Sequence, residues 1–510
     1  MKRIIILLLL GGIVSCLAAE LRSLWVLPWD LQSAEEVDQV ISDALLANQN
    51  ELLLEVRYRA DALYTPNRLN TDFANPEPRS YILSNDGFDP LAYAIPRAHE
   101  YGIKIQAWVI VFNATPLLQE HVSQNYIYKN HRDWITHAEN GRQMQSTKQY
   151  GYFIDPGLPE VQTYLLDVFS DIVSGYPELD GLHLDYVRYP DETLGYHPIS
   201  LQRFREQEQS ISWNQWRRLQ ITEFVTKCRE RIKRINPNIL LTAAVFADIN
   251  AATNLYAQDW YSWLQKGLID RAYPMAYDLS YDVFANQIKD LKTRCNPRSI
   301  AIGIRAWAPQ GKSLLPWDNS NYNMYDIQKR ISLVRQSGFA GTALFSYSGL
   351  KADNGLDFLT AIAFFETPQL HAPALISRSQ IGFPEISQTP PFTANKHAHF
   401  SPASSSDSLH AATPSQAKAD FQVVFDQAQQ MHIIRLQIPE EGRWYWEIRE
   451  TGQRPLYSRY RYYFAGNNTD YWDGVLEDNS LIQAGEYIFS LQNSTHSYST
   501  EIWIGSLQHE

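Results

Sequence analysis

Eight short runs rich in β-branched and aromatic residues recur between Leu21 and about Thr367, each followed by a longer stretch with amphipathic spacing. They are SLWVLPW (23–29), ELLLEVR (51–57), IKIQAWVI (103–110), DGLHLDYV (180–187), ILLTAAVF (239–246), DRAYPMAY (270–277), SIAIGIRAW (299–307) and GTALFSYS (341–348). The spacer WNQWRRLQITEFVTKCRERIKRIN before the fifth run carries the helical period. Eight strands alternating with helices predict an α/β chain folded as a (β/α)8 barrel. A doubly wound open sheet is the competing architecture, but no glycine-rich phosphate loop follows the first run.

The composition changes beyond the barrel segment. Residues 368–420 are rich in Pro, Ser, Ala and Thr without a sustained period and read as a linker. FQVVFD, HIIRLQI, RWYWEIRE, YRYYFAG, GEYIFSLQ and TEIWIGSL then predict a small β-sandwich over 421–510. Its stretch YWDGVLEDNSLIQAGEYIFSLQ resembles the final hairpin of immunoglobulin-like modules on exported bacterial proteins.

The first 19 residues have two basic residues, an apolar run from Ile4 to Leu10 and small residues after it, the layout of a secretory signal peptide. Export is therefore expected, to the periplasm, the medium or an outer-membrane lipid anchor. Two cleavage readings stay open: Ile13-Val14-Ser15-Cys16 resembles a lipobox that would lipidate Cys16, whereas Cys16-Leu17-Ala18 suits ordinary signal peptidase. Only Cys228 and Cys295 follow, too few for a disulfide scaffold or a cysteine metal site. The formal net charge of -12 offers no footprint for nucleic acid and weighs against an anionic polymer as substrate. The thirty Tyr and fourteen Trp suit stacking on sugar faces as well as core packing.

In a (β/α)8 enzyme the active site lies where the strands end, so polar residues there carry the functional reading. Strand alternation places Glu55 with Arg57, Gln106 with Trp108, and His183 with Asp185 on the expected barrel interior. Glu55, deeper in its strand, reads as part of a neutralising structural network. Asp185, at the rim and followed by Tyr186, Arg188 and Tyr189, reads as functional, with His183 beneath it as hydrogen-bonding support.

DGLHLDYVRYP, together with LRSLWV, NELLLEVRYRADALY, FDPLAYAIPRAHEYGIKIQAWV, IDPGLPEVQTYLLDVFSDIV, WRRLQITEFVTKCRERIKRINPN, DWYSWLQKGLIDRAYPMAY and GFAGTALFSYS, resembles the glycoside-hydrolase-like family GHL10. The resemblance runs in order over nearly all of Leu21 to Thr367. It implies a (β/α)8 hydrolase whose key acid ends the fourth strand, which falls on Asp185. Relatives include an enzyme of peptide-stripped peptidoglycan glycan strands. Many members have two adjacent acids in a DGIHFDDY-like form, but this chain has Tyr186 in the second place. Asp185 must then find a partner carboxyl on another strand, because glycoside hydrolysis ordinarily uses two.

Asp278 after AYPMAY is the first choice for that partner, Asp248 and Asp61 follow, and Asp155 in YFIDPG reads as a cap for the next helix. Arg57, Arg188 and Arg305 are expected to orient substrate or hold the carboxylates ionised. Trp108, Trp307 and Tyr347 are expected sugar platforms, with Tyr277 lining the groove. No HExxH, Gly-x-Ser-x-Gly or HxxxH motif is present. The expected partner is a polysaccharide, with no cofactor and no metal, so chelation is expected to leave activity intact.

Overall fold

The computed structural model describes residues 20–364, apart from 70–71, 118, 148–149, 209, 311, 316–321 and 354, together with most of the strands between 420 and 504. The leader and nearly all of the linker expected from the sequence lie outside the described residues, as does half of the immunoglobulin-resembling hairpin. The chain divides into two compact units, residues 1–372 and 373–510.

In the first unit eight parallel strands close into a barrel in sequence order: β1 (Leu21–Val26), β2 (Glu51–Arg57), β3 (Lys104–Ile110), β4 (Gly181–Asp185), β5 (Leu240–Phe246), β6 (Arg271–Ala276), β7 (Ala301–Arg305) and β8 (Gly341–Phe345). Closure pairs Leu24 of β1 with both Leu52 of β2 and Leu344 of β8. Helices cover the outside, so these strands are buried on both faces, as the unbroken burial of β2 shows. β1, β4, β6, β7 and β8 end one to three residues before the runs read from the sequence, and two of these ends have a visible cause. β4 stops at Asp185 because Tyr186 adopts φ 52°, outside extended geometry. β8 stops at Phe345 because Ser346 caps a short helix, Tyr347–Ala352.

The lower barrel is filled by a polar chain rather than by aliphatic layers. Trp25 Nε1 donates to His183 Nε2 at 3.1 Å, and His183 Nδ1 meets Thr242 Oγ1 at 2.8 Å. Because Thr242 Oγ1 donates to Gln106 Oε1 at 2.7 Å, the imidazole proton sits on Nδ1. Gln106 Nε2 then donates to Glu51 Oε2 at 2.8 Å, and Glu51 Oε1 accepts from Ser23 and Tyr273. Each buried group therefore has a partner, which is what makes a polar barrel floor tolerable.

Gln106→Leu cuts this chain in the middle, leaving the Thr242 hydroxyl and a Glu51 oxygen short of partners. The expected loss is about 2–4 kcal/mol, from two orphaned buried groups; denaturant titration of the full chain measures it. A loss below about 0.5 kcal/mol would mean the chain adds little.

In the second unit the described strands form two antiparallel sheets, one of β9 (Asp420–Asp426), β10 (Met431–Ile438) and β13 (Gly466–Trp472), the other of β11 (Gly442–Arg449), β12 (Pro455–Tyr463), β14 (Gly485–Gln492) and β15 (Ser497–Ile504). Alternate residues Trp444, Trp446 and Ile448 of β11 share a core with Phe489 and Leu491 of β14 and Ile434 and Leu436 of β10.

Candidate active site

The ends of β2, β3 and β4 bring two acids to the lumen on either side of a tryptophan. Glu55 pairs in register with Trp108, Trp108 pairs with His183, and Asp185 lies two residues further along β4. Glu55 thus lies level with His183, one layer below Asp185. The Trp108 indole donates to Asp185 Oδ2 at 3.2 Å, and the Tyr186 backbone N–H donates to Asp185 Oδ1 at 2.6 Å. No hydrogen bond joins the Glu55 carboxyl to another described residue.

Glu55 is 4% exposed and Asp185 8%. Burial pushes Glu55 up to about 8; Arg59 opposes that rise and the Asp185 charge adds to it. Burial also raises Asp185, but only to about 6, because the Tyr186 N–H, Arg188, Trp108 and Arg59 favour its ionised form. Two neighbouring carboxyls pushed to either side of neutrality have separate roles available, one as a proton donor and the other as an ionised base or nucleophile.

Aromatic rings wall the space beside Asp185. The Phe345 ring lies 6.1 Å from Trp108, 5.7 Å from Tyr277 and 5.5 Å from Trp307. Tyr277 is within electrostatic reach of Asp185 and Tyr186. Arg188 sits among Tyr150, Phe153, Tyr186, Phe246 and Tyr256, with centroids 4.8 to 5.9 Å from its Cζ, and donates to the carbonyls of Tyr189 and Pro190. That cage fixes its charge near Asp185.

Five residues chosen from the sequence stand elsewhere. Arg57 does not share the Glu55 face: a bulge sets Glu55 opposite Trp108 and Arg57 opposite Val109, which leaves Val56 as the extra residue. The Arg57 side chain consequently points outward, fully buried, pairing with Glu77 at 2.6 Å and lying over the Phe169 ring. His183 does not support Asp185, since both its nitrogens are engaged with Trp25 and Thr242, and burial lowers it to about 3. Asp278 is exposed, its carboxyl accepts from the Ser280 N–H, and it is not among the main charges acting on Glu55 or Asp185. Tyr347 is fully buried in its helix with its hydroxyl on Asp43, so it offers no platform. Arg305 folds onto Trp307, 4.0 Å above the ring, and donates to the carbonyls of Trp307 and Ala308; it positions that indole and holds no carboxylate.

The other acids considered are also accounted for. Asp248 caps the helix Ile249–Leu255. Asp155 is buried between Thr136, Ser200 and the Gly157 N–H, a loop anchor rather than a helix cap. Asp61 is buried in the loop after β2, beside Glu77 and Ser80, and its charge reaches Glu55. Sequence reasoning had assigned Glu55 to structure and passed over Arg59 and Phe345. Alternation along ELLLEVR was the available signal for Glu55; nothing local marked the other two. Among the described residues no group of three His, Cys, Asp or Glu is placed to hold a metal ion.

A carboxyl raised on folding makes the folded state bind more protons than the unfolded one, so stability falls as pH rises. For Glu55 that loss runs from its ordinary 4.5 to about 8. Glu55→Gln is accordingly expected to match wild type in stability near pH 4 and exceed it near pH 9, by on the order of 1–4 kcal/mol. Thermal unfolding at the two pH values checks this; a gap independent of pH would refute the buried-carboxyl account.

The sequence profile described as Glycosyl hydrolase-like 10 matches residues 20–312. A protein of Bacillus subtilis strain 168, "Glycosyl hydrolase YngK", is 24% identical over 375 residues, which cover 62% of this chain and 67% of that one. "Glycosyl hydrolase DigH" of Escherichia coli K12 is 28% identical over 248 residues, covering 42% of this chain and 54% of the relative, so the match spans little more than half of that protein. Among solved structures, a chitinase from Bacteroides thetaiotaomicron aligns with 70% of this chain and 99% of its own at 12% identity and a TM-score of 0.40. A beta-galactosidase from Bacillus circulans aligns with 64% of this chain and 50% of its own at 12% identity and a TM-score of 0.44.

Proposed function

The chain belongs to the glycosyl hydrolase-like 10 family, and on that premise we propose that it hydrolyses O-glycosidic bonds of a polysaccharide at the rim of β2, β3 and β4. The observation that carries this reading is the pair Glu55 and Asp185, buried on one lumen face and titrating on opposite sides of neutrality. Near pH 7 Glu55 donates its proton to the glycosidic oxygen as the bond from the anomeric carbon breaks. Asp185, ionised, attacks that carbon or takes a proton from the water that does. Trp108, Tyr277, Trp307 and Phe345 supply apolar faces for sugar rings, and Arg188 holds Asp185 toward its charged form.

Peptide-stripped peptidoglycan strands are the first substrate to test, in keeping with the sequence resemblance. We place the protein outside the cytoplasm on its leader, free or anchored at Cys16. We take the second unit as an accessory immunoglobulin-like sandwich. Incubating the mature protein and its Asp185→Asn variant with intact and peptide-stripped peptidoglycan, then with a panel of other polysaccharides, tests the reading by mass spectrometry of released fragments. Fragments from wild type alone support it. Silence on every substrate, with equal glycan binding by both proteins, would favour a carbohydrate-binding role, the reading that Tyr186 in place of a second acid keeps open.

A further inference from the structure

The loop leaving β2 holds a guanidinium that the fold leaves unanswered. Arg59 is 7% exposed, yet its Nε and Nη1 are buried without a hydrogen-bond partner, and no carboxylate among the described residues lies within ion-pair distance of it. Arg57 is answered by Glu77 and Arg188 by two carbonyls; Arg217 and Arg330 also leave nitrogens unpartnered, but each still donates to backbone carbonyls, whereas the Arg59 guanidinium has no hydrogen bond to another described residue. A buried charge without partners costs several kcal/mol or more.

The backbone reinforces the placement. Arg59 and Ala60 have φ 57° and 62°, a left-handed pair that costs residues with a Cβ about 1–2 kcal/mol each. Asn125 Nδ2 donates to the Arg59 carbonyl at 2.9 Å and holds the turn. The Arg59 Cζ lies 5.0 Å from the Tyr58 ring, which meets Trp29 edge-on at 5.3 Å. Its charge reaches Glu55 on β2, Asp185 on β4, Tyr186 beyond β4 and Tyr81 in the β2–β3 connection. Groups on separate elements around one guanidinium locate it in the groove.

We infer that Arg59 is the subsite for a carboxylate carried by the sugar bound beside Glu55 and Asp185, which makes the substrate an acidic glycan. This rests on the proposed function for the same site. The planar guanidinium fork matches a carboxylate in geometry and charge. With Glu55 protonated and Asp185 ionised at neutral pH, Arg59 and Arg188 leave the groove locally positive on a chain whose net charge is -12. The whole-chain charge therefore does not decide the charge of the substrate. Two sources share this chemistry: the lactyl carboxylate of muramic acid and the ring carboxylate of a uronic acid.

The test measures binding of the full chain carrying Asp185→Asn, to prevent turnover, to peptide-stripped peptidoglycan strands and to uronan oligomers, each native and carboxyl-reduced. At least about tenfold tighter binding of one native glycan over its reduced form is expected, the worth of a charge-assisted hydrogen bond. Adding Arg59→Gln should bring that preference within twofold, while Arg59→Lys should keep an intermediate one and control for folding. Which glycan shows the preference identifies the source. Equal binding of native and reduced forms, binding of neither glycan, or a preference that survives Arg59→Gln overturns the inference. Hydrolysis by wild type without carboxylate preference sinks only the subsite; preference without hydrolysis sinks only the enzymatic reading.

Discussion

Asp185→Asn is expected to lower the rate of glycan cleavage by about 10⁴-fold or more, the scale of losing a nucleophile or a general base. The fold should survive. The Tyr186 N–H and the Trp108 indole each donate to a separate oxygen of Asp185, so the amide can satisfy one of them and strands the other. That costs about 1 kcal/mol, and removing a buried charge offsets it. Thermal unfolding near wild type with lost cleavage is thus the expected combination. Activity within tenfold of wild type would remove Asp185 from the chemistry and leave the groove without its ionised acid.

Glu55→Gln has the second largest expected effect, a loss of about 10²–10⁴-fold in kcat/KM on natural glycosides. The size of the loss should depend on the leaving group. An aryl glycoside that departs without protonation needs no acid, so the variant should approach wild type on it, whereas a sugar leaving group should expose the full deficit. The pH profile adds an independent check. Wild type requires Asp185 ionised and Glu55 protonated, so kcat/KM should rise through about 6 and fall through about 8. These flanks belong to the interacting pair rather than to either residue alone. Removing Glu55 should abolish the alkaline limb. An alkaline limb that persists, or a deficit equal on all leaving groups, would assign the acid role elsewhere.

The barrel and its leading acid were legible along the chain. Period-two runs separated by helical spacers are local signals, and a strand of this fold ends at the rim wherever its position in sequence lies, which placed Asp185. The face on which Glu55 and Trp108 lie followed from the same alternation. What alternation could not foresee was the bulge between Glu55 and Arg57, which depends on pairing with β3 and turned Arg57 out of the lumen into an ion pair with Glu77.

Partner choice was equally non-local. His183 reaches Trp25 and Thr242 across the barrel only because closure brings β1 and β5 to it, so no reading of DGLHLDYVRYP could separate support of Asp185 from membership in the floor network. Asp278 sits one residue past Tyr277, exposed and with its carboxyl taken up by the turn to Ser280, which the run AYPMAY does not announce. The sequence by itself determined the barrel and the carboxylate at the end of its fourth strand, because both are written in local periodicity. The tertiary structure decided which second acid faces Asp185 and which arginine is left unpaired beside it, because burial and charge reach depend on strands that meet only when the sheet closes.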